Sequence, residues 1–378
     1  MPVQTVVTAT TPTVTATAIL TFQSIPAAAI MSLPEAPSGL ADLPTSTPLT
    51  SANIKIIGER SITNDSVSRL FFDDKFVYWV LESDTSAIRR APIAGGPEQR
   101  ILQSAYPHGD IALIPPMRVA NWLIYADLPY HVQDNWILMA LDLTTLKTKV
   151  LFKSEDDGGL PPRLSTDGRS VVATYELHRS QPECTATIMT IVPVETMIPR
   201  ELRRICAEGN YLWNIVGIEG NTIVADRQLP NATGGGSDIV QFDLNPNTEP
   251  VSITTNGASS EPSISADWVI WKDGIRWKNT NCIGVLNRKT NIQSRRCLPE
   301  YFAYAELRGH FVYAPYHGHS VYLFDLTSDK ALEIARVTQG TTVRDTDVRG
   351  DTIAWVVDQN DVPLNKQTTR ITIATLKP

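Results

Sequence analysis

The chain has 378 residues, 42% of them apolar and 19% charged, with a formal net charge of −7. That is enough apolar material for a large core and, by length alone, for two or three domains. The acidic balance and the lack of a basic cluster exclude a phosphate-tracking nucleic-acid binder and a basic membrane-surface helix, since both depend on Lys and Arg.

Taken from the N-terminus, Thr, Pro, Ala and Ser dominate Pro2 to Pro48, and Glu35 is the first charge. The stretch from Ala16 to Met31 is mildly apolar but carries Thr, Gln and Pro26, so it is too polar and too broken for a transmembrane helix. It also lacks the basic leading run of a signal peptide. Residues 1–51 are expected to form a disordered Thr/Pro-rich stalk that holds a domain away from a surface, or a tail with no role. An export signal upstream of Met1 is a further expectation.

From there a repeat of about 46 residues runs to the end of the chain. Its clearest strand begins at Phe76, Trp122, Ser170, Thr222, Asp267, His310 and Thr352. Each copy is a short run of β-branched, aromatic and Ala residues, most of them preceded by a tight-turn group such as Asp73-Asp74 or Asp167-Gly168. A shorter strand precedes each turn, as from Ser68 and Tyr211. A third strand follows, beginning at Ala87, Trp136, Thr185, Asp238, Cys282, Ser320 and Arg370. Six of these third strands run into a turn and an outer returning strand, the signature of hairpins. The seventh has no returning strand, and one orphan strand, Ile54–Gly58, precedes the first repeat. Pairing Ile54–Gly58 with Arg370–Leu376 joins the two ends and removes the open edge. The expectation is an all-β, seven-bladed β-propeller of four-stranded antiparallel blades over residues 52–378, its ring closed by an N-terminal strand.

Several of these runs, among them Val77-Tyr78-Trp79 and Ser165-Thr166-Asp167-Gly168, resemble the TolB-like (YWTD-type) propellers of bacteria. Arg163-Leu164-Ser165-Thr166-Asp167-Gly168-Arg169-Ser170 is similar to their SPDG turn. Val77-Tyr78-Trp79 with Ala87-Ile88-Arg89-Arg90-Ala91-Pro92-Ile93-Ala94-Gly95-Gly96 resembles their VYW and I-R-x-P-L-x-GG blades. Phe242-Asp243-Leu244 and Phe324-Asp325-Leu326 resemble the family's third-strand ending. The resemblance covers about Ala52 to Pro378, with clear motifs in four blades. It departs at Ala266-Asp267, where the turn Gly is lost, and at Leu286-Asn287-Arg288, where the Asp-Leu ending is lost. It implies the propeller fold and carries no reaction with it.

The four cysteines flank two hairpins. The midpoint of Cys282 and Cys297 falls in the Arg288–Asn291 turn, and that of Cys184 and Cys206 in the Val194–Met197 turn. Each pair is therefore expected to face across antiparallel strands at disulfide distance. Two disulfides, Cys184–Cys206 and Cys282–Cys297, imply an extracytoplasmic protein: secreted, periplasmic or on the cell surface. The alternative is four buried thiols in a cytosolic protein. Neither pair has the spacing of a zinc site.

Propeller ligands use the loops between second and third strands and between blades, and here those loops vary greatly. Candidate ligand-binding residues on that face are Tyr130, His131, His178, Trp277, Tyr316, His317 and His319. The plainer reading is of solvated loop histidines. Acids recur between the blades. Asp110, Asp156, Asp157 and Glu261 are candidate Ca²⁺ ligands at the channel mouth, although no Ca²⁺-loop motif is present. No nucleophile elbow, phosphate loop or sialidase Asp box is found.

These features point first to a non-catalytic extracytoplasmic module that binds a protein, peptide or glycan through its loop face. A polymer-acting hydrolase or lyase with its site at the channel mouth is the second reading, and a structural subunit of a cell-surface complex the third. Neither nucleic acid nor a transmembrane span is expected in any of them. Surface attachment through the N-terminal stalk suits all three.

Overall fold

A computed structural model describes residues 49–63, 65–129, 135–154, 161–177, 186–206, 213–228, 236–245, 248–274, 280–302, 305–313, 320–359, 362–363 and 366–376. All of them belong to the compact unit Gly39–Pro378.

The described chain is all-β. It forms seven sheets with four antiparallel strands each, and in the first six blades those four follow sequence order from the inside outwards. The first blade holds β3 (Val67–Phe72), β4 (Phe76–Leu81), β5 (Ala87–Pro92) and β6 (Gln99–Gln103). The second holds β7 (Met117–Val119), β8 (Trp122–Asp127), β9 (Ile137–Asp142) and β10 (Thr148–Lys153). The third holds β11 (Arg163–Thr166), β12 (Ser170–Leu177), β13 (Ala186–Pro193) and β14 (Arg200–Cys206). The fourth is β15 (Trp213–Glu219), β16 (Thr222–Gln228), β17 (Ser237–Asp243) and β18 (Val251–Ser252). The fifth is β19 (Ser259–Ile264), β20 (Trp268–Asp273), β21 (Thr280–Asn287) and β22 (Ile292–Phe302). The sixth is β23 (Glu306–Arg308), β24 (Phe311–Tyr313), β25 (Ser320–Asp325) and β26 (Lys330–Arg336).

The seventh blade takes β27 (Thr341–Arg349), β28 (Thr352–Gln359) and β29 (Thr368–Leu376) from the C-terminal end. Its fourth strand is β2 (Ile54–Thr63), antiparallel to β29 from Ile54 opposite Leu376 to Thr63 opposite Thr368. The expected pairing of the chain ends is thus present, and the strand is longer than Ile54–Gly58.

Upstream, β1 (Leu49–Ser51) lies parallel to β26 and makes the sixth blade five-stranded. Those three residues fall within the expected stalk. They carry no strand periodicity, and what orders them is the open edge of β26, which supplies backbone partners that local sequence does not reveal.

The core is divided as the ring requires. Seven buried apolar clusters each join two neighbouring blades. The one around Trp79 packs β3, β4 and β5 against Ala354, Val356, Ile371 and Ile373, which seals the last blade onto the first. Strand residues are buried on both faces, for example Val77 to Val80, because each blade is sandwiched by its neighbours.

The turns show why the family-like motifs recur. Asp142 and Asp325, at the ends of third strands, accept amides from Thr144 and Thr145 and from Thr327 and Ser328. Asn287, where the Asp-Leu ending is lost, accepts the amides of Lys289 and Thr290 in the same way, so the acceptor survives the departure. Between first and second strands, Gly220, Gly309 and Gly350 take positive φ of 58°, 62° and 55°, and Ala120 takes 49° at the corresponding turn of the second blade.

Cys282 faces Cys297 across β21 and β22, and the two form a disulfide. Cys206 lies opposite Ala186, and Cys184 is outside the described residues, so that second pairing remains a proposal. No described helix is long and apolar enough to cross a membrane.

Candidate functional site

The innermost strands line a central cavity of about 700 Å³. It opens at the turns between first and second strands, with Asn121, Gly168, Gly309 and Gly350 on the rim. Side chains alternate along a strand, so residues two apart share the channel face. Arg69 on β3, Arg118 on β7, Glu306 and Arg308 on β23, and Asp345 and Asp347 on β27 all line this cavity.

An inner strand has one edge without a ladder partner, and its amides need acceptors. The channel acids supply them across blade boundaries. Asp345 Oδ2 accepts the Leu70 amide at 2.7 Å, and Asp347 Oδ2 accepts the Phe72 amide at 3.3 Å, both from the seventh blade to the first. Ser263 Oγ accepts the Leu307 amide at 3.2 Å between the fifth and sixth blades. Asp167 Oδ2 accepts the Gly220 amide at 3.1 Å between the third and fourth. The other carboxylate oxygens of Asp345 and Asp347 accept the Thr346 and Val348 amides, each at 2.9 Å.

A second group stands beside them. Tyr313 donates its hydroxyl to Glu306 Oε2 at 2.8 Å, and Arg308 Nη2 approaches the same oxygen at 2.9 Å. Glu306 and Arg308 stay about a third exposed to the channel, at 34% and 37%, so water screens this pair.

Burial drives the titration of the acids. It pushes Asp345 up to about 8 against the opposing amides and Arg69, with Asp347 adding repulsion. It pushes Asp347 up to about 6, with Arg308 opposing and Glu306 adding. Burial and the neighbouring Glu306 hold the Tyr313 phenol well above its usual range. Arg308 is held above its own by Tyr313 first, with Glu306 and Asp347 adding to it.

Arg69 also borders a smaller cavity of about 220 Å³, together with Glu82, Asp110 and Arg344. Next to this smaller cavity lies a buried polar clasp. Asp358 accepts from Ser66 Oγ, from Thr369 Oγ1 at 2.5 Å and from Arg344 Nε at 2.9 Å, while Asp65 accepts the Ser66 amide at 2.8 Å and the Ser83 hydroxyl. The clasp ties the segment after β2 to β28 and β29.

Of the loop-face candidates, Tyr130, His131, His178, Trp277, Tyr316, His317 and His319 lie outside the described residues, as do Asp156 and Asp157. Asp110 accepts the Ala112 and Leu113 amides at 2.8 and 3.0 Å and so shapes its own loop. Glu261 sits at the bulge in β19 with φ of 56°. Among the described residues, no three His, Cys, Asp or Glu side chains converge as a metal site.

The channel residues were not among the sequence candidates. Their signal was present as charges two apart in innermost strands, Glu306-Leu307-Arg308 and Asp345-Thr346-Asp347, where a half-buried strand would be apolar.

Comparison with solved structures matches this architecture. The β-propeller domain of the Trilobed protease from Pyrococcus furiosus, described as having an open velcro topology, aligns with a TM-score of 0.54 at 12% identity. The match covers 78% of this chain and 91% of that one. An oligogalacturonate lyase in complex with manganese aligns at 0.52 and 9% identity, covering 88% and 98%. An acylaminoacyl peptidase of Pyrococcus horikoshii aligns at 0.51 and 12% identity, covering 78% of this chain. The chain spans less than half the length of the whole peptidase chains it matches, 49% of that one and 41% of a prolyl endopeptidase. At these identities the likeness is one of fold. No family model and no curated protein matches the chain.

Proposed function

We propose that this chain is an extracytoplasmic binding module, a propeller that seats a ligand in its central channel. The ligand reaches the channel at either mouth, and the variable loops around Tyr316, His317 and His319 are proposed to extend the contact. The observation that carries the reading is the commitment of the channel acids. Asp345, Asp347 and Asp167 each spend their carboxylates on amides of the next blade and of their own strand or turn. A carboxylate held this way fixes the ring and is poorly placed to exchange a proton with substrate. The Cys282–Cys297 disulfide supports an oxidising compartment. Membership of the TolB-like group and a stalk formed by residues 1–48 belong to the same proposal.

A specific observation favours a second reading, that of a polymer-acting hydrolase or lyase. Two carboxyls on one strand, pushed up to about 8 and about 6, stand near a tyrosine and an arginine. Groups with separated titrations are the material of acid–base catalysis. Solved structures of similar fold include an oligogalacturonate lyase and peptidases.

The test is incubation of the full chain with oligogalacturonate and with unstructured peptide, followed by product analysis and by equilibrium binding. The binding reading expects no product from either polymer. Product that disappears in Asp347→Asn overturns it in favour of the second.

A further inference from the structure

The donor and acceptor inventory of the channel is lopsided. Every lining carboxylate already accepts a hydrogen bond. Asp345, Asp347 and Asp167 take backbone amides, and Glu306 takes Tyr313. Of the four lining arginines, Arg308 pairs with Glu306 and Arg349 with Asp74, while Arg69 and Arg118 make no hydrogen bond to a carboxylate among the described residues. Arg69 donates through Nε to the Ala112 carbonyl and through Nη1 to the Ser68 carbonyl, both at 3.0 Å, and both acceptors are neutral. Arg118 has a buried Nε without a hydrogen-bond partner among the described residues, and it approaches Asp73 Oδ2 only at 3.7 Å. That carboxylate is itself occupied by the Lys75 and Phe76 amides and the Tyr78 hydroxyl.

Neutral carbonyls take the hydrogen bonds of Arg69, whose charge meets the Asp345 carboxyl only through space. An anion placed beside Arg69 and Arg118 meets charge-assisted donors and displaces no existing acceptor from them. A cation in the same cavity finds Asp345, Asp347 and Asp167 already engaged by amides and Glu306 by Tyr313 and Arg308. A neutral ligand leaves the guanidinium charges unmatched.

We infer that the central channel is a site for a small oxyanion-bearing ligand, a carboxylate held by Arg69 and Arg118. The inference rests on the reading of the channel as the ligand seat and adds the chemistry of what is seated. The cavity of about 700 Å³ has room for a compound of drug size and none for a folded partner. Its position also gives Arg69 a second role. Bordering both cavities, Arg69 is reached from the side of Glu82 and Arg344 as well as from the rim at Asn121 and Gly309.

Calorimetric titration of the full chain with tricarballylate, its neutral triamide and inorganic phosphate tests this at low salt. Saturable binding of tricarballylate is expected, with little or none of the triamide. The affinity is expected to weaken by about tenfold or more in Arg69→Gln with Arg118→Gln, since each loses a charge-assisted bond. Arg296→Gln, which breaks an outer-strand pair with Asp329 and a bond to the Arg295 carbonyl, is expected to bind as the wild type does.

Should the double variant fail to fold, the wild type alone decides, because binding must fall with added salt and phosphate must compete if any oxyanion suffices. Phosphate that binds without the tricarboxylate assigns a phosphate ligand, and the tricarboxylate binding alone assigns a carboxylate. Equal binding of acid and triamide, insensitive to both arginines, overturns the inference and leaves the channel as a seat for a neutral ligand. Binding of none of the three overturns the inference. A bare protein mass when the chain is isolated from its own source then removes the channel reading as well.

Discussion

The Asp345 carboxylate accepts the Leu70 amide at 2.7 Å, and this bond joins the innermost strand of the last blade to that of the first. Asp347 repeats it two residues on with Phe72. Replacing Asp345 with Ala leaves the buried Leu70 amide without its acceptor, at a cost of about 1–3 kcal/mol. The expected result is a fall in Tm of several degrees in thermal denaturation, with Asp345→Asn falling less because its carbonyl still accepts. Equal stability of Asp345→Ala and wild type contradicts the assignment.

The same acids give stability a pH dependence. Burial raises the folded-state values of Asp345 to about 8 and Asp347 to about 6. A carboxyl raised on folding contributes stability that is fully present below its unfolded value of about 4 and is lost as pH rises through its folded value. The groups facing the pair are Arg69, Arg308, Glu306 and Tyr313. Thermal denaturation between about pH 5 and about pH 9 is expected to show Tm falling as pH rises, and Asp345→Asn is expected to flatten the upper part. Parallel curves for the two proteins contradict this origin.

Ring closure by β2 predicts a sharp difference between two truncations. Removal of residues 1–48 leaves β1 and β2 in place, and Tm is expected to stay within a few degrees. Removal of residues 1–63 strips the fourth strand from the last blade, exposes the β29 edge and removes Ile62 from the Trp79 cluster. That protein is expected to aggregate or to melt at a much lower temperature, as light scattering and calorimetry would record.

Ala120 holds φ of 49° where three other blades use glycine at the corresponding turn. A Cβ in the left-handed region costs about 1 kcal/mol relative to Gly. Ala120→Gly is expected to raise Tm by a few degrees, and Gly309→Ala to lower it by a similar amount. A destabilised Ala120→Gly contradicts the argument.

Much of the fold was legible in the sequence because a blade repeats its chemistry. Each second strand is a dense apolar run after a turn, and the missing fourth strand of the last repeat demanded a partner that only Ile54–Gly58 could supply. Cys282 and Cys297 were legible because their midpoint falls on a turn. What escaped was structure decided by distant neighbours. Leu49–Ser51 forms a strand only because the β26 edge is free. Asp345 and Leu70 are 275 residues apart, and no local pattern ties one to the other. The channel arginines are ordinary strand residues until the ring brings them together.

The disulfides set a separate prediction. Opening the Cys282–Cys297 link by a double Ser substitution is expected to cost about 3 kcal/mol, the chain-entropy value for a loop of this size, seen as a lower Tm. The proposed Cys184–Cys206 link is read by mass. Alkylation of unfolded protein without reductant is expected to label no cysteine, and after reduction all four. Labelling of two thiols before reduction contradicts the second link.

The central claim is that the channel seats a ligand for binding and does not turn it over. Native mass spectrometry of the chain purified from its own source tests it most directly, with the Arg69→Gln, Arg118→Gln double variant alongside. The account predicts a retained small anionic mass on the wild-type protein that the double variant loses. A bare mass for both, or the same adduct on both, contradicts it.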